Sequence, residues 1–173
     1  EAQKFFNQGV GQLHGFWYFE EERSFRQVLR LDPDCAMAYW GLVMANFSNK
    51  TRVEGFIKKA KEKLDGVSER DKMWINSLVR YFEKPKDDEN KRRRELVRDL
   101  EKLVRANPDD IEAKAFLLYQ IYSNGRKKDG YKIPSHLMVD QYAAAIHAVQ
   151  PNHPCHHYRI HLWDSEDPKQ ALY

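Results

Sequence analysis

The sequence predicts an all-α fold made of helical hairpins stacked side by side. Three observations carry this expectation. Glycine and proline are scarce, with eight and seven copies in 173 residues, too few to punctuate a many-stranded β fold. A junction between helices recurs three times, in RLDPDCAMAYWGL (30–42), RANPDDIEAKAFLL (105–118) and VQPNHPCHHYRI (149–160). Between the junctions, apolar residues return every three or four positions, as in Leu96, Val97, Leu100, Leu103 and Val104, which is one face of a helix.

Each junction reads as a helix end, then Asp, Asn or Gln before proline, then Asp or Asn, then a new helix. Proline cannot continue the first helix, because it lacks an amide donor and clashes with the preceding turn. The neighbouring Asp or Asn is placed to cap the next helix by accepting from its free amides.

In order, helices are expected at 1–14, 18–31, 35–48, 51–65, 69–83, 87–106, 110–123, 135–149 and 154–163. The glycines of GVGQLHG (9–15) let a neighbouring helix approach the first. Pro33 ends the second, and Tyr39, Leu42 and Val43 give the third a core face. The fourth ends at Gly66, read as a left-handed cap, and Ser68 to Asp71 resembles a capping box that opens the fifth. EKPKDD (83–88) breaks the chain at Pro85, and Asp87, Asp88 and Glu89 suit the positive end of the sixth helix. Pro108 separates the sixth from the seventh, and SNGRKKDGYKIP (123–134) is an exposed loop before the eighth. Pro154 is read as the first residue of the ninth. SEDPKQALY then looks like another helix start, with Ser165 or Asp167 as cap and Pro168 in the first turn. With Glu1 in place of a methionine, the chain reads as part of a longer protein.

Pro33 and Pro108 lie about 75 residues apart, two units of roughly 37. Phe5, Gly9, Phe25, Val28 and Pro33 fall where tetratricopeptide repeats place an early aromatic, a small residue, a later aromatic, a second small residue and a proline. The chain resembles that family. LHGFWYFEEERSFRQVLRLDPDCAMAYWGL, SERDKMWINSL and NHPCHHYRIHLWD together resemble a group of large bacterial tetratricopeptide proteins, to which no activity attaches. The resemblance implies a right-handed α-α superhelix of about four helix pairs plus a partial fifth, as one domain over 1–173. Glu21 departs from the family, standing where an alanine opens the tight contact between paired helices.

The resemblance also implies a concave inner wall formed by the first helix of each pair, and hence a protein- or peptide-binding scaffold. On that wall it places Met37, Trp40, Met44 and Phe47, then Asn76 and Arg80, then Tyr119 and Tyr122. A methionine and aromatic stripe is more often the signature of plain core than of a groove, so Trp40 has two readings, core first. The lysine, asparagine and arginine clamp by which some relatives hold a peptide carboxylate is absent, because the matching positions are Gln3, Phe6, Met37 and Trp40.

Four of the seven histidines lie in PNHPCHHYRIHLWD (151–164). His157 and His161 are four apart and share one helix face. With His153 they form a candidate zinc or copper site, which His156, Cys155 or Asp164 could complete. HYRIH lacks the glutamate of a zinc-protease motif. The competing reading is that these imidazoles are hydrogen-bonded packing residues, with His147 as a partner.

Other classes find little support. The net charge is only +3. In KKAKEK (58–63) and KRRRELVRDLEKLVR (91–105) acids interleave with bases, the pattern of a solvated helix face and not of a nucleic-acid surface. No phosphate-binding loop, nucleophile elbow or paired CxxC occurs, so no enzymatic activity is expected of the chain by itself; the alternative reading is a zinc- or copper-binding protein with its site around 153–161, part of a larger enzyme. Cys35 and Cys155 are too few for a disulfide framework. No run reaches the ~18 apolar residues of a membrane span. The expected setting is a soluble one, in the bacterial cytoplasm or periplasm.

Overall fold

The computed structural model describes residues 1–83, 88–127, 132–133, 135–164 and 166–172. Helix makes up 79% of the fold, with no strand among the described residues. The α-helices are α1 (Ala2–His14), α2 (Tyr18–Leu31), α3 (Ala36–Ala45), α4 (Lys50–Glu62), α5 (Glu69–Glu83), α6 (Glu89–Ala106), α7 (Ile111–Gly125), α8 (His136–Val149) and α9 (His156–Trp163). Short 3₁₀ turns occupy Leu64–Gly66 and Pro168–Leu172. Each helix matches one expected from the sequence, although α3 and α4 end three residues early. None is long and apolar enough to cross a membrane among the described residues.

The contacts divide the chain into two compact units, Glu1–Lys84 and Pro85–Tyr173. In the first unit each helix packs on the next, and α1 also touches α3, which touches α5. In the second, α6 packs on α7, α7 on α8, and α9 on both α7 and α8.

Phe25 is the pivot of the first unit and is fully buried. Its ring lies over two helical glycines, Gly9 of α1 and Gly41 of α3, where an added Cβ would come within 2.8 Å and 2.4 Å of it. Phe6 meets the same ring edge-on at 5.7 Å between centroids. Of the glycines in GVGQLHG, Gly9 thus serves close approach, whereas nothing lies within 4 Å of a Cβ at Gly11. A polar knot ties α2 to α3 and α4. Glu22 accepts from Arg26 at 2.7 Å, from Arg52 at 2.9 Å and from Asn46 at 3.1 Å. Burial pushes the Glu22 carboxyl up, but these donors outweigh it and hold the group below the usual carboxylate range.

The second unit buries Leu96, Leu100 and Leu103 of α6, Phe116 and Leu117 of α7, Ile146 of α8 and Tyr158 of α9. Arg159 of α9 grips Asp140 of α8 in a two-pronged ion pair, Nε to Oδ1 at 2.6 Å and Nη2 to Oδ2 at 3.0 Å.

Several local expectations are corrected. Gly66 is not a left-handed cap: no described glycine has a positive φ, and the chain reverses there through the 3₁₀ turn. The left-handed residue is Phe16, at φ 56°, between α1 and α2. Ser68 does cap α5, its Oγ accepting from the Asp71 amide at 3.1 Å. At none of the three proline junctions does the residue beside the proline cap the next helix; in the second the cap is Asp110, two residues past Pro108, accepting from the Ala113 amide at 3.0 Å. In the first, Asp32 accepts from the Asp34 amide at 3.2 Å, closing a turn before the helix, and α3 starts without a side-chain cap. In the third, the Cys155 amide donates to His153 Nδ1 at 3.1 Å, so a turn forms over Pro154 and α9 begins at His156. The basic run of α6 is not wholly outside either. Arg93 is buried, donating to Glu89 on its own helix and to Asn124 of α7 at 3.3 Å. Asp87, Pro85, Ser165 and most of the loop at 128–134 lie outside the described residues.

Candidate functional site

Helix α3 is apolar all round, so packing alone decides which of its residues face outward. Met37, Met44 and Phe47 are half-buried. Trp40 is 3% exposed and meets Trp74 of α5 edge-on, 5.2 Å between centroids. It is a core residue sealing α3 to α5 and not part of an open wall. Phe47, just past α3, rests on Tyr81 and Phe82 at 4.9 and 5.0 Å. On α5, Asn76 is half-buried and Arg80 is exposed. In the second unit, Tyr119 is half-buried against Tyr158 at 5.1 Å. Tyr122 is buried, its hydroxyl accepting from Arg126 at 3.0 Å.

Sequence reasoning missed a cleft of about 460 Å³ between α1 and α2, lined by Phe5, Gln8, Arg23, Ser24, Gln27 and Arg30 among others. The only signal was the three- and four-residue spacing of Arg23, Gln27 and Arg30 on α2. Ser24 is committed to Gln12 at 2.7 Å and Gln8 at 3.1 Å.

The second unit gathers the histidines of 147–161 into three arrangements. His157 and His161, one turn apart on α9, bring their Nε2 atoms to 3.0 Å. His161 Nδ1 lies 3.2 Å from Asp164 Oδ2, which Arg126 also approaches, at 3.5 Å. The hydrogen bond from His161, against the opposing push of burial, and the charge of Arg126 hold Asp164 below the usual carboxylate range. The Tyr122 ring lies nearly parallel to that of His161, at 14° and 6.0 Å.

His153 belongs to the second arrangement. Its Nδ1 accepts the Cys155 amide, which fixes the neutral ring as the Nε2–H tautomer, and Nε2 faces Glu112 Oε1 at 3.3 Å. Both ring nitrogens are thereby engaged in holding the turn before α9 against the start of α7. His153 is buried, and these contacts are not those of the His157–His161 pair.

The third arrangement joins His147 to Cys155, Nε2 to Sγ at 3.2 Å. The His147 ring stacks on His156 at 3.5 Å, and His156 Nε2 donates to the Pro151 carbonyl at 3.0 Å. Burial, with the nearby Glu112 charge, pushes the Cys155 thiol up to about 12, so it stays protonated and is a poor nucleophile. Burial and then the neighbouring His156 push His147 down, so it is neutral in ordinary buffer. His147, His153 and His156 thus each make hydrogen-bond or ring contacts within this unit. No family model, curated protein or solved structure gives a significant match to the chain.

Proposed function

We propose that the chain is a helical-repeat scaffold that binds a protein or peptide segment, its hairpins stacking in the manner of tetratricopeptide repeats. The observation that carries this reading is the contact of α1 with α3 and of α3 with α5 in the first unit. First helices of successive hairpins that touch one another present a continuous wall, as a superhelical groove requires. Met37, Met44 and Phe47 supply apolar surface that is only partly covered, and Arg80 supplies a cation at the rim. An amphipathic helix or an extended peptide carrying an acidic residue fits such a wall.

The test is selection of peptides from a displayed library against the purified chain, followed by anisotropy titration of the best binder. Met44→Asp and Arg80→Ala should each weaken binding by about tenfold or more, in the range of interface anchors, with the helical circular dichroism signal retained. Failure to select any binder, or binding indifferent to both substitutions, would remove the wall from consideration.

A further inference from the structure

We infer that His157 and His161 form a two-histidine site for a divalent late transition metal, with Cu²⁺ the best match and Ni²⁺ and Zn²⁺ next. The primary observation is the 3.0 Å separation of the two Nε2 atoms. With metal–nitrogen bonds of about 2.0–2.1 Å, nitrogens that far apart subtend about 94° at the metal. A right angle suits the tetragonal coordination of Cu²⁺ or Ni²⁺. A tetrahedral ion needs a separation of about 3.3–3.4 Å, which a small rotation of either ring supplies.

The tautomers favour the same chemistry. Asp164 accepts from His161 Nδ1–H, which leaves the Nε2 lone pair of His161 aimed at His157. This is the carboxylate–histidine arrangement that raises ligand basicity and fixes ring orientation. In the metal-free protein His157 Nε2–H occupies the position between the rings. On binding, that proton moves through solvent to His157 Nδ1, so both Nε2 atoms become ligands with no net proton release. The Tyr122 ring supports one side of His161. The side chain of His161 remains 32% exposed, so an ion can arrive with waters that complete its shell. Magnesium and calcium, which prefer oxygen ligands, are excluded by the donor set. The site lies within the second unit and owes nothing to the scaffold reading.

The experiment is titration of the full chain with Cu²⁺, read by calorimetry and by electron paramagnetic resonance. One equivalent should bind with a two-nitrogen signature, and saturating metal should raise the melting temperature by about 5–10 °C. His157→Gln and His161→Gln should each weaken binding at least tenfold and collapse the two-nitrogen signature. Asp164→Asn should weaken it by about tenfold through the loss of orientation. His156→Ala, whose ring serves the Pro151 carbonyl, should bind normally. Circular dichroism of each variant establishes that the helices persist. The assignment fails if wild-type binding is weaker than about 1 mM, or if folded His157→Gln and His161→Gln retain wild-type affinity.

Discussion

Gly41 makes room for Phe25: a Cβ at position 41 would lie 2.4 Å from the phenyl ring, which is wholly buried between α1, α2 and α3. A ring so enclosed cannot swing away from an added methyl. Gly41→Ala should therefore destabilise the first unit by about 1–3 kcal/mol, the usual cost of overpacking a core. Gly55→Ala is the contrasting substitution. It sits mid-helix in α4 with nothing within 4 Å of a new Cβ, and should stabilise by about 0.5–1 kcal/mol through helix propensity alone. Urea unfolding of the two variants decides the matter, and equal effects would refute the enclosure of Phe25.

Trp40 gives the second prediction. Its edge-on contact with Trp74 and its 3% exposure make it a strut between α3 and α5. Trp40→Ala should cost about 3–5 kcal/mol, whereas Met44→Ala, at a half-buried position on the same helix, should cost much less. Chemical denaturation of both variants measures the difference. A Trp40→Ala protein as stable as the parent would return this residue to the open wall.

These cases mark what the sequence made legible. The helices were readable because their causes are local: proline at the junctions, Ser68 at a cap, and the stripe from Leu96 to Leu103. The burial of Trp40 was not, because α3 is apolar on every side and periodicity cannot choose a face. Arg93 turned inward for the sake of Asn124, 31 residues away, and His153 is held by Glu112, 41 residues away. No pattern within a helix announces such partners. The pairing of His157 with His161 was legible from their spacing, whereas the part of Asp164 depended on how the end of α9 turns.

Glu21 predicts a pH dependence. It is 2% exposed on α2, and its Oε2 has no hydrogen-bond partner among the described residues. Burial raises its pKa to about 7 from an ordinary 4.5. The folded state thus prefers the protonated acid. The favourable contribution of this group is complete below about 4.5 and is lost as pH rises through about 7. The loss amounts to roughly 3 kcal/mol for a shift of that size. Glu21→Gln keeps the shape and removes the charge. Its stability should exceed that of the parent at pH 8, and the gap should shrink as pH falls below about 7 and close by about pH 4. A gap that does not vary with pH would show that the carboxyl of Glu21 does not titrate abnormally.

The Arg159–Asp140 pair predicts an asymmetry between single and double substitutions. The two side chains are only 15% and 11% exposed and share two hydrogen bonds between α9 and α8. Removing either charge leaves the other buried without its counter-ion, so Asp140→Leu or Arg159→Met alone should each cost about 3–5 kcal/mol. Replacing both by apolar residues of similar volume, as in Asp140→Leu with Arg159→Met, removes the desolvation cost of both ions together. That double variant should lie within about 1–2 kcal/mol of the parent. Thermal unfolding of the four proteins forms a double-mutant cycle. A coupling energy near zero would mean that the pair is solvated in solution and that apolar packing alone holds α9 to α8.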